Sequence, residues 1–192
     1  MTGKALQPIP FPQKPFLLQP PRADRPATLN APAIEVLTDF SRTPPVVTTP
    51  EESVVDAEQR MIRRGVRSVL VLNAEGRIVG ILTAADILGE KPLRFAQDNN
   101  LAPTEVRVGD IMTPIEKMDA LTFEQVSRAT VADIVATLQA LGRQHTLVVE
   151  KRDSEWVVRG IFSSTQIARQ LGTEVPILVK ARTFAEIEAE LK

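Results

Sequence analysis

"GILTAADIL", residues 80–88, and "GIFSSTQIA", residues 160–168, carry nearly the same pattern twice. In each, a glycine is followed three residues later by a hydroxyl, Thr83 or Ser163. Three residues further on stands Asp86 in the first copy and Gln166 in the second. Each stretch closes an apolar run and starts a helix. The similarity extends outward. "SVLVL" (68–72), the turn "NAEG" (73–76) and "RIVGIL" (77–82) precede the first copy. "TLVV" (146–149), the longer turn "EKRDSEW" (150–156) and "WVVRGIF" (156–162) precede the second. Short apolar runs bounded by polar turns read as buried strands, so each copy holds a hairpin.

Ahead of each hairpin lies a helix. "SVVDAEQRMIRRG" (53–65) and "TVADIVATLQALG" (130–142) both open on a hydroxyl with Asp three residues later and both close on glycine. These are capping-box and C′ signals. Val54, Ala57 and Met61 form an apolar stripe in the first helix, and Val131, Ile134 and Leu138 in the second. An extended run precedes each: "PPVVTT" (44–49) and "KMDAL" (117–121). The chain is therefore α/β, with two repeated units of helix, strand, strand and helix, each about 75 residues long, packed with pseudo-twofold symmetry. "QDNNLAP" (97–103) reads as the linker.

The two ends differ from this body. Eight of the 15 prolines fall in residues 1–32. Proline fixes φ and lacks an N–H donor, so this segment is expected to be an extended, Pro-rich tail. At the other end, "TFAEIEAEL" places Phe184, Ile187 and Leu191 on one helical face.

Composition narrows the function. The 192 residues are 43% hydrophobic and carry a net charge of -1, which argues against sequence-independent nucleic-acid binding. No apolar run approaches the roughly 18 residues of a membrane span, and no signal-peptide core is present, so a cytoplasmic location is expected. There is no cysteine and no tyrosine, and His145 is the lone histidine. That is a poor set for acid–base catalysis, and no enzyme is expected.

The repeat, its capped helices, "GDIMTP" (109–114) and the Gly-x-x-Thr/Ser-x-x-Asp pattern together resemble a tandem CBS-domain pair, the Bateman module, standing alone. The first copy has "TDFSRTPP" (38–45) where a DIMTP-type lead-in belongs, and Gln166 replaces the acid in the second. On this resemblance the chain divides into the tail 1–32, a first CBS domain 33–95, a linker 96–105, a second CBS domain 106–172 and a helical segment 173–192. The resemblance implies a regulatory module that senses an adenine nucleotide or related adenosyl compound: AMP, ADP, ATP or S-adenosylmethionine. It also implies sites between the repeats, a homodimer, an effector protein of unknown identity and no required cofactor.

Thr83 and Asp86 have two readings. As a ligand site, the helix start and the Thr83 hydroxyl suit phosphate, and the Asp86 carboxylate suits two ribose hydroxyls. Gly80 then lets the ligand approach the backbone. As a cap, the same pair only starts a helix, as Ser53–Asp56 and Thr130–Asp133 do. By resemblance, Val46, Val47, Val66, Val69, Met112 and Pro114 line the slot for the base, and Arg67 and Lys91 supply positive charge. Ser163, Gln166 and His145 form a second, weaker site, because an amide cannot offer charged acceptors.

Overall fold

The structure is a computed structural model, and it describes residues 27–172. Most of the Pro-rich tail and the expected C-terminal helix lie outside the described residues. In chain order the elements are β1 (Thr38–Asp39), β2 (Val47–Thr48), α1 (Val54–Arg64), β3 (Ser68–Leu72), β4 (Ile78–Thr83) and α2 (Ala84–Leu88). Next come α3 (Lys91–Asp98), α4 (Val108–Ile111), β5 (Thr113–Pro114), β6 (Ala120–Thr122), α5 (Phe123–Arg128) and α6 (Val131–Leu141). The chain then forms β7 (His145–Arg152), β8 (Glu155–Ser163) and α7 (Ser164–Leu171). Among the described residues no helix is long and apolar enough to cross a membrane.

Both repeat helices start and stop as their sequence signals require. The Ser53 hydroxyl accepts from the Asp56 N–H at 3.0 Å, and the Thr130 hydroxyl accepts from the Asp133 N–H at 3.3 Å. Gly65 and Gly142 close the helices in the left-handed region, at φ 63° and 61°. Among the helices not read from the sequence are α3 and α5. α3 has proline in its first turn, where the missing N–H costs nothing, and it runs to Asp98, inside the expected linker. α5 begins with a Thr122–Gln125 capping box, a signal present in the sequence but passed over as part of a lead-in.

Two four-stranded sheets form, ordered β2-β3-β4-β5 and β1-β8-β7-β6. The inner stretches of the central strands, residues 69–71, 81–82, 147–148 and 161–162, are apolar and covered on both faces. Val69, Val71 and Leu82 face the first-repeat helices with Val54, Ala57 and Met61. Val148 and Phe162 face the second-repeat helices with Val131, Ile134 and Leu138. The alternate residues, Leu70 and Ile81 of one sheet and Leu147 and Ile161 of the other, meet as a single buried cluster. The repeats thus pack sheet against sheet, as expected.

The edges of the sheets are exchanged between repeats. β5, which leads into the second repeat, pairs with β4 of the first, Gly80 opposite Pro114 and Ile81 opposite Thr113. β1, at the start of the first repeat, pairs with β8 of the second, Asp39 opposite Gly160 and Thr38 opposite Ile161. Ala33 and Val36 accordingly lie in the core of the second repeat. Backbone bonds extend this attachment. The Val131 and Ala132 N–H groups, free at the start of α6, donate to the carbonyls of Ala31 and Leu29 at 2.9 Å. Arg159 pins β1 further. It holds Asp39 through two bonds of 2.9 Å, reaches Glu150 at 3.0 Å, and lies 4.7 Å from the Phe123 ring centre. That guanidinium keeps the Asp39 carboxyl well below the usual carboxylate range.

This exchange explains two glycines. A Cβ on Gly80 would stand 2.7 Å from the Thr113 carbonyl oxygen, and one on Gly160 would stand 2.5 Å from that of Thr38. Gly80 therefore admits the neighbouring strand. Replacing either glycine by alanine should cost about 1–3 kcal/mol, the range for overpacking, and urea denaturation measures it. Parent-like stability in both variants would contradict the exchanged-edge account.

Candidate functional site

Each motif ends a hairpin and starts a helix. Thr83 stands opposite Ser68 in the first hairpin, and Ser163 stands opposite His145 in the second. Because the sheets face each other, each motif looks across at the strand entry of the other repeat. Two clefts result, related by the pseudo-twofold axis. One brings Ser163, Thr165, Gln166 and Arg169 together with Val46, Val66, Arg67 and Thr43. The other brings Thr83 and Asp86 together with Thr113, Met118, Arg143 and Gln144. His145 borders both.

The two motifs differ in what they leave free. Thr83 and Asp86 form a closed capping box. The Asp86 carboxylate accepts from the Thr83 hydroxyl at 2.6 Å and from the Thr83 N–H at 2.9 Å, while the Asp86 N–H donates to the Thr83 hydroxyl at 3.2 Å. Lys91 pairs with the other carboxylate oxygen. The helix they start is only five residues long, so its dipole attracts an anion weakly. In the second copy, the Ser163 side chain caps nothing. Among the described residues, neither Ser163 nor Gln166 makes a side-chain hydrogen bond.

Comparison with known proteins fits this geometry. Residues 37–92 match the model of the CBS domain. The AMP complex of CBSX2, a CBS-pair protein of Arabidopsis thaliana, superposes with a TM-score of 0.52 at 21% identity, covering 72% of this chain and 94% of that one. The CBS domain pair of MJ0100, crystallised with 5′-methylthioadenosine and S-adenosyl-L-methionine, superposes at 0.51 and 22% identity, covering 77% and 98%. The chain has the fold of a CBS pair. The uncharacterized protein MJ1225 of Methanocaldococcus jannaschii is 31% identical over 109 residues. That match spans 54% of this chain and 37% of the relative.

Within this fold, the expected site residues fall into separate places. Thr83 and Asp86 share one cleft, whereas Val46, Val66 and Arg67 line the other, beside Ser163 and Gln166. The resemblance groups them into one site, but no local signal says which motif faces which strand entry. Met112 and Pro114 line a different groove, with Lys91 and Lys117. Met112 also packs over Gly80, its sulfur 2.8 Å from where a Cβ would stand. Val69 is core, 1% exposed, with its side chain among the first-repeat helices. Val47 is exposed, and its neighbour Thr48 is the buried residue of β2. Gly80 borders neither cleft; its part is to accept β5.

Several cleft residues escaped sequence reading. Thr43 sits in the irregular lead-in, and Arg143 and Gln144 follow the glycine that ends α6. Arg169 had a usable signal, since it lies three residues after Gln166 on the same face of α7. Among the described residues, neither Arg67 nor Arg169 is in an ion pair, whereas Arg143 donates to the Lys117 carbonyl at 2.7 Å and lies 3.7 Å from Asp119.

His145 is 8% exposed. Burial, reinforced by the positive charge of Arg67 and opposed by Asp86, pushes its pKa down from 6.5 to about 4. The folded protein holds this imidazole neutral, while the unfolded chain protonates it below pH 6.5. Stability from this group is therefore complete above that value and falls as the pH drops toward 4. Between pH 7 and 5 the loss should be about 2 kcal/mol. His145→Gln should remove that part of the pH dependence in urea titrations. Identical pH profiles for parent and variant would show that the group does not titrate in this way.

Proposed function

We propose that the protein is a regulatory module that binds an adenosyl compound between its CBS repeats and passes the bound state to a partner protein. The observation that carries this reading is the Ser163 cleft. It sets an uncommitted hydroxyl, an uncommitted amide and two arginines beside an apolar wall that includes Val46 and Val66. Such a slot suits a purine, Ser163 and Arg67 suit a phosphate, and the Gln166 amide suits a ribose hydroxyl. AMP in CBSX2 and the two adenosyl ligands of MJ0100 supply the ligand class. The Ser163 cleft ranks above the Thr83 cleft, the reverse of the order expected from the sequence. The acid that seemed to favour Thr83 is already held by its own helix and by Lys91.

Ligand binding regulates only if it favours one arrangement of the repeats over another. A ligand gripping Arg67 of one repeat and Ser163 of the other does so, because their separation depends on how the sheets sit. Val55 and Ile62 stay exposed on the outer face of α1, at 45% and 64%, and they support assembly as a homodimer. The second reading, a dimeric scaffold without ligand, is favoured by the closed Thr83–Asp86 cap.

A ligand at 100 times its Kd adds about 2.7 kcal/mol. For a chain of this size the melting midpoint should rise by roughly 5–11 °C. Thermal melts with AMP, ADP, ATP and S-adenosylmethionine test this. Val46→Asp should abolish the shift for ligands of the Ser163 cleft, by placing a carboxylate in the slot. A flat result with all four compounds would favour the scaffold.

A further inference from the structure

The two clefts have the same architecture but different electrostatic character. Arg67 and Arg169 line the Ser163 cleft, and among the described residues no carboxylate does. Among the described residues neither arginine has an acidic partner, so their charge is available to a ligand. His145 adds no charge at neutral pH, since burial keeps it neutral. The Ser163 hydroxyl is free to donate. Across the pseudo-twofold axis, Gln166 corresponds to Asp86, and Arg67 corresponds to Gln144. The Thr83 cleft therefore has a carboxylate in its wall and a neutral amide where the other has a cation. Its one lining cation, Arg143, already serves Asp119 and the Lys117 carbonyl. The Thr83 hydroxyl already donates to Asp86. Ile81 and Met118 complete this cleft with apolar and thioether surface.

We propose that the two clefts sort adenosyl ligands by charge: phosphorylated adenosyl compounds enter the Ser163 cleft, and compounds without phosphate enter the Thr83 cleft. This rests on the reading of the clefts as adenosyl sites. A phosphate in the Thr83 cleft faces the Asp86 carboxylate and finds no free cation. In the Ser163 cleft it meets two guanidinium groups, which bind phosphate in bidentate fashion. A sulfonium or a neutral thioether reverses the preference. Asp86, held by Thr83 and Lys91, leaves that wall with no free cation for an anion, and Met118 and Ile81 cover the methylthio or sulfonium end. The protein so arranged reads two small molecules at once, one from each charge class.

Calorimetric titration of the full chain tests the sorting. The ligands are ADP, 5′-methylthioadenosine and S-adenosylmethionine, and the proteins are the parent, Arg67→Gln, Arg169→Gln and Asp86→Asn. Loss of a charge-assisted bond to phosphate should weaken ADP by about 10- to 100-fold in either arginine variant, with methylthioadenosine unchanged. Asp86→Asn leaves Lys91 without its partner, and should weaken S-adenosylmethionine by about 10-fold while leaving ADP in the Ser163 cleft unchanged. ADP and methylthioadenosine should bind the parent together, neither displacing the other. Mutual displacement, or equal loss of both ligands in Arg67→Gln, overturns the sorting while leaving the adenosyl reading intact. Failure of the parent to bind any of the three overturns both. Both arginines are exposed, so the variants fold, and a thermal melt without ligand checks it.

Discussion

A backbone carbonyl stands where residue 160 would carry a side chain, and another stands where residue 80 would. This close approach is the constraint from which the remaining architecture follows. Each two-stranded hairpin is too small to cover its own core, since an isolated hairpin is marginal in water. Each repeat therefore borrows an edge strand from the segment that leads into the other. β1 completes the second sheet and β5 the first. Ala33 and Val36 travel with β1 into the second core, and the Arg159 pair with Asp39 holds them there. Neither repeat is closed without chain from the other, so the pair folds as one unit.

The exchange also builds the clefts. The facing residues Leu70, Ile81, Leu147 and Ile161 fix how near the sheets come. With the sheets locked, each motif helix begins beside the strand entry of the opposite repeat. The borrowed strands then wall the clefts: Thr38 lines one and Thr113 the other. Each cleft thus draws on both repeats and on one exchanged strand. Any change in the angle between the sheets alters both clefts together, and His145, which touches both, lies at the centre of that movement.

What the sequence revealed followed from how local each signal is. The capped helices, the hairpins and the twofold repeat depend on neighbours three or four residues apart, and periodicity displays them. The short helix α5 was equally local, and only its capping box announced it. Edge exchange is a long-range pairing of two residues with two, and no local pattern encodes it. The candidate site inherits that difference. Thr83, Asp86, Ser163 and Gln166 were legible as motif residues, and Val46, Val66 and Arg67 as neighbours of a cleft. Which motif faces which wall depends on the exchange, which sets the two groups in different clefts. The strand contact of Gly80 was hidden for the same reason: its register partner, Pro114, is 34 residues away in sequence.

The same grammar at two helix starts leaves different groups free. With Asp at the third helical position the motif closes on itself, and hydroxyl, backbone N–H and acid satisfy one another. In α7 the Ser163 side chain makes no cap bond, although a glutamine closes the box with Thr122 in α5. An uncapped helix start costs about 1 kcal/mol, and α7 offsets it by burying Ser164 and Ile167 and by ending on Gly172 in the left-handed region. Stability is therefore secured at the far end and the inner face of α7, which leaves its first turn free of structural duty. A first turn so released has donors to offer a ligand. The Thr83 helix, with a single turn and no buried side chain, has no such reserve, and its cap must stay closed to keep the helix at all.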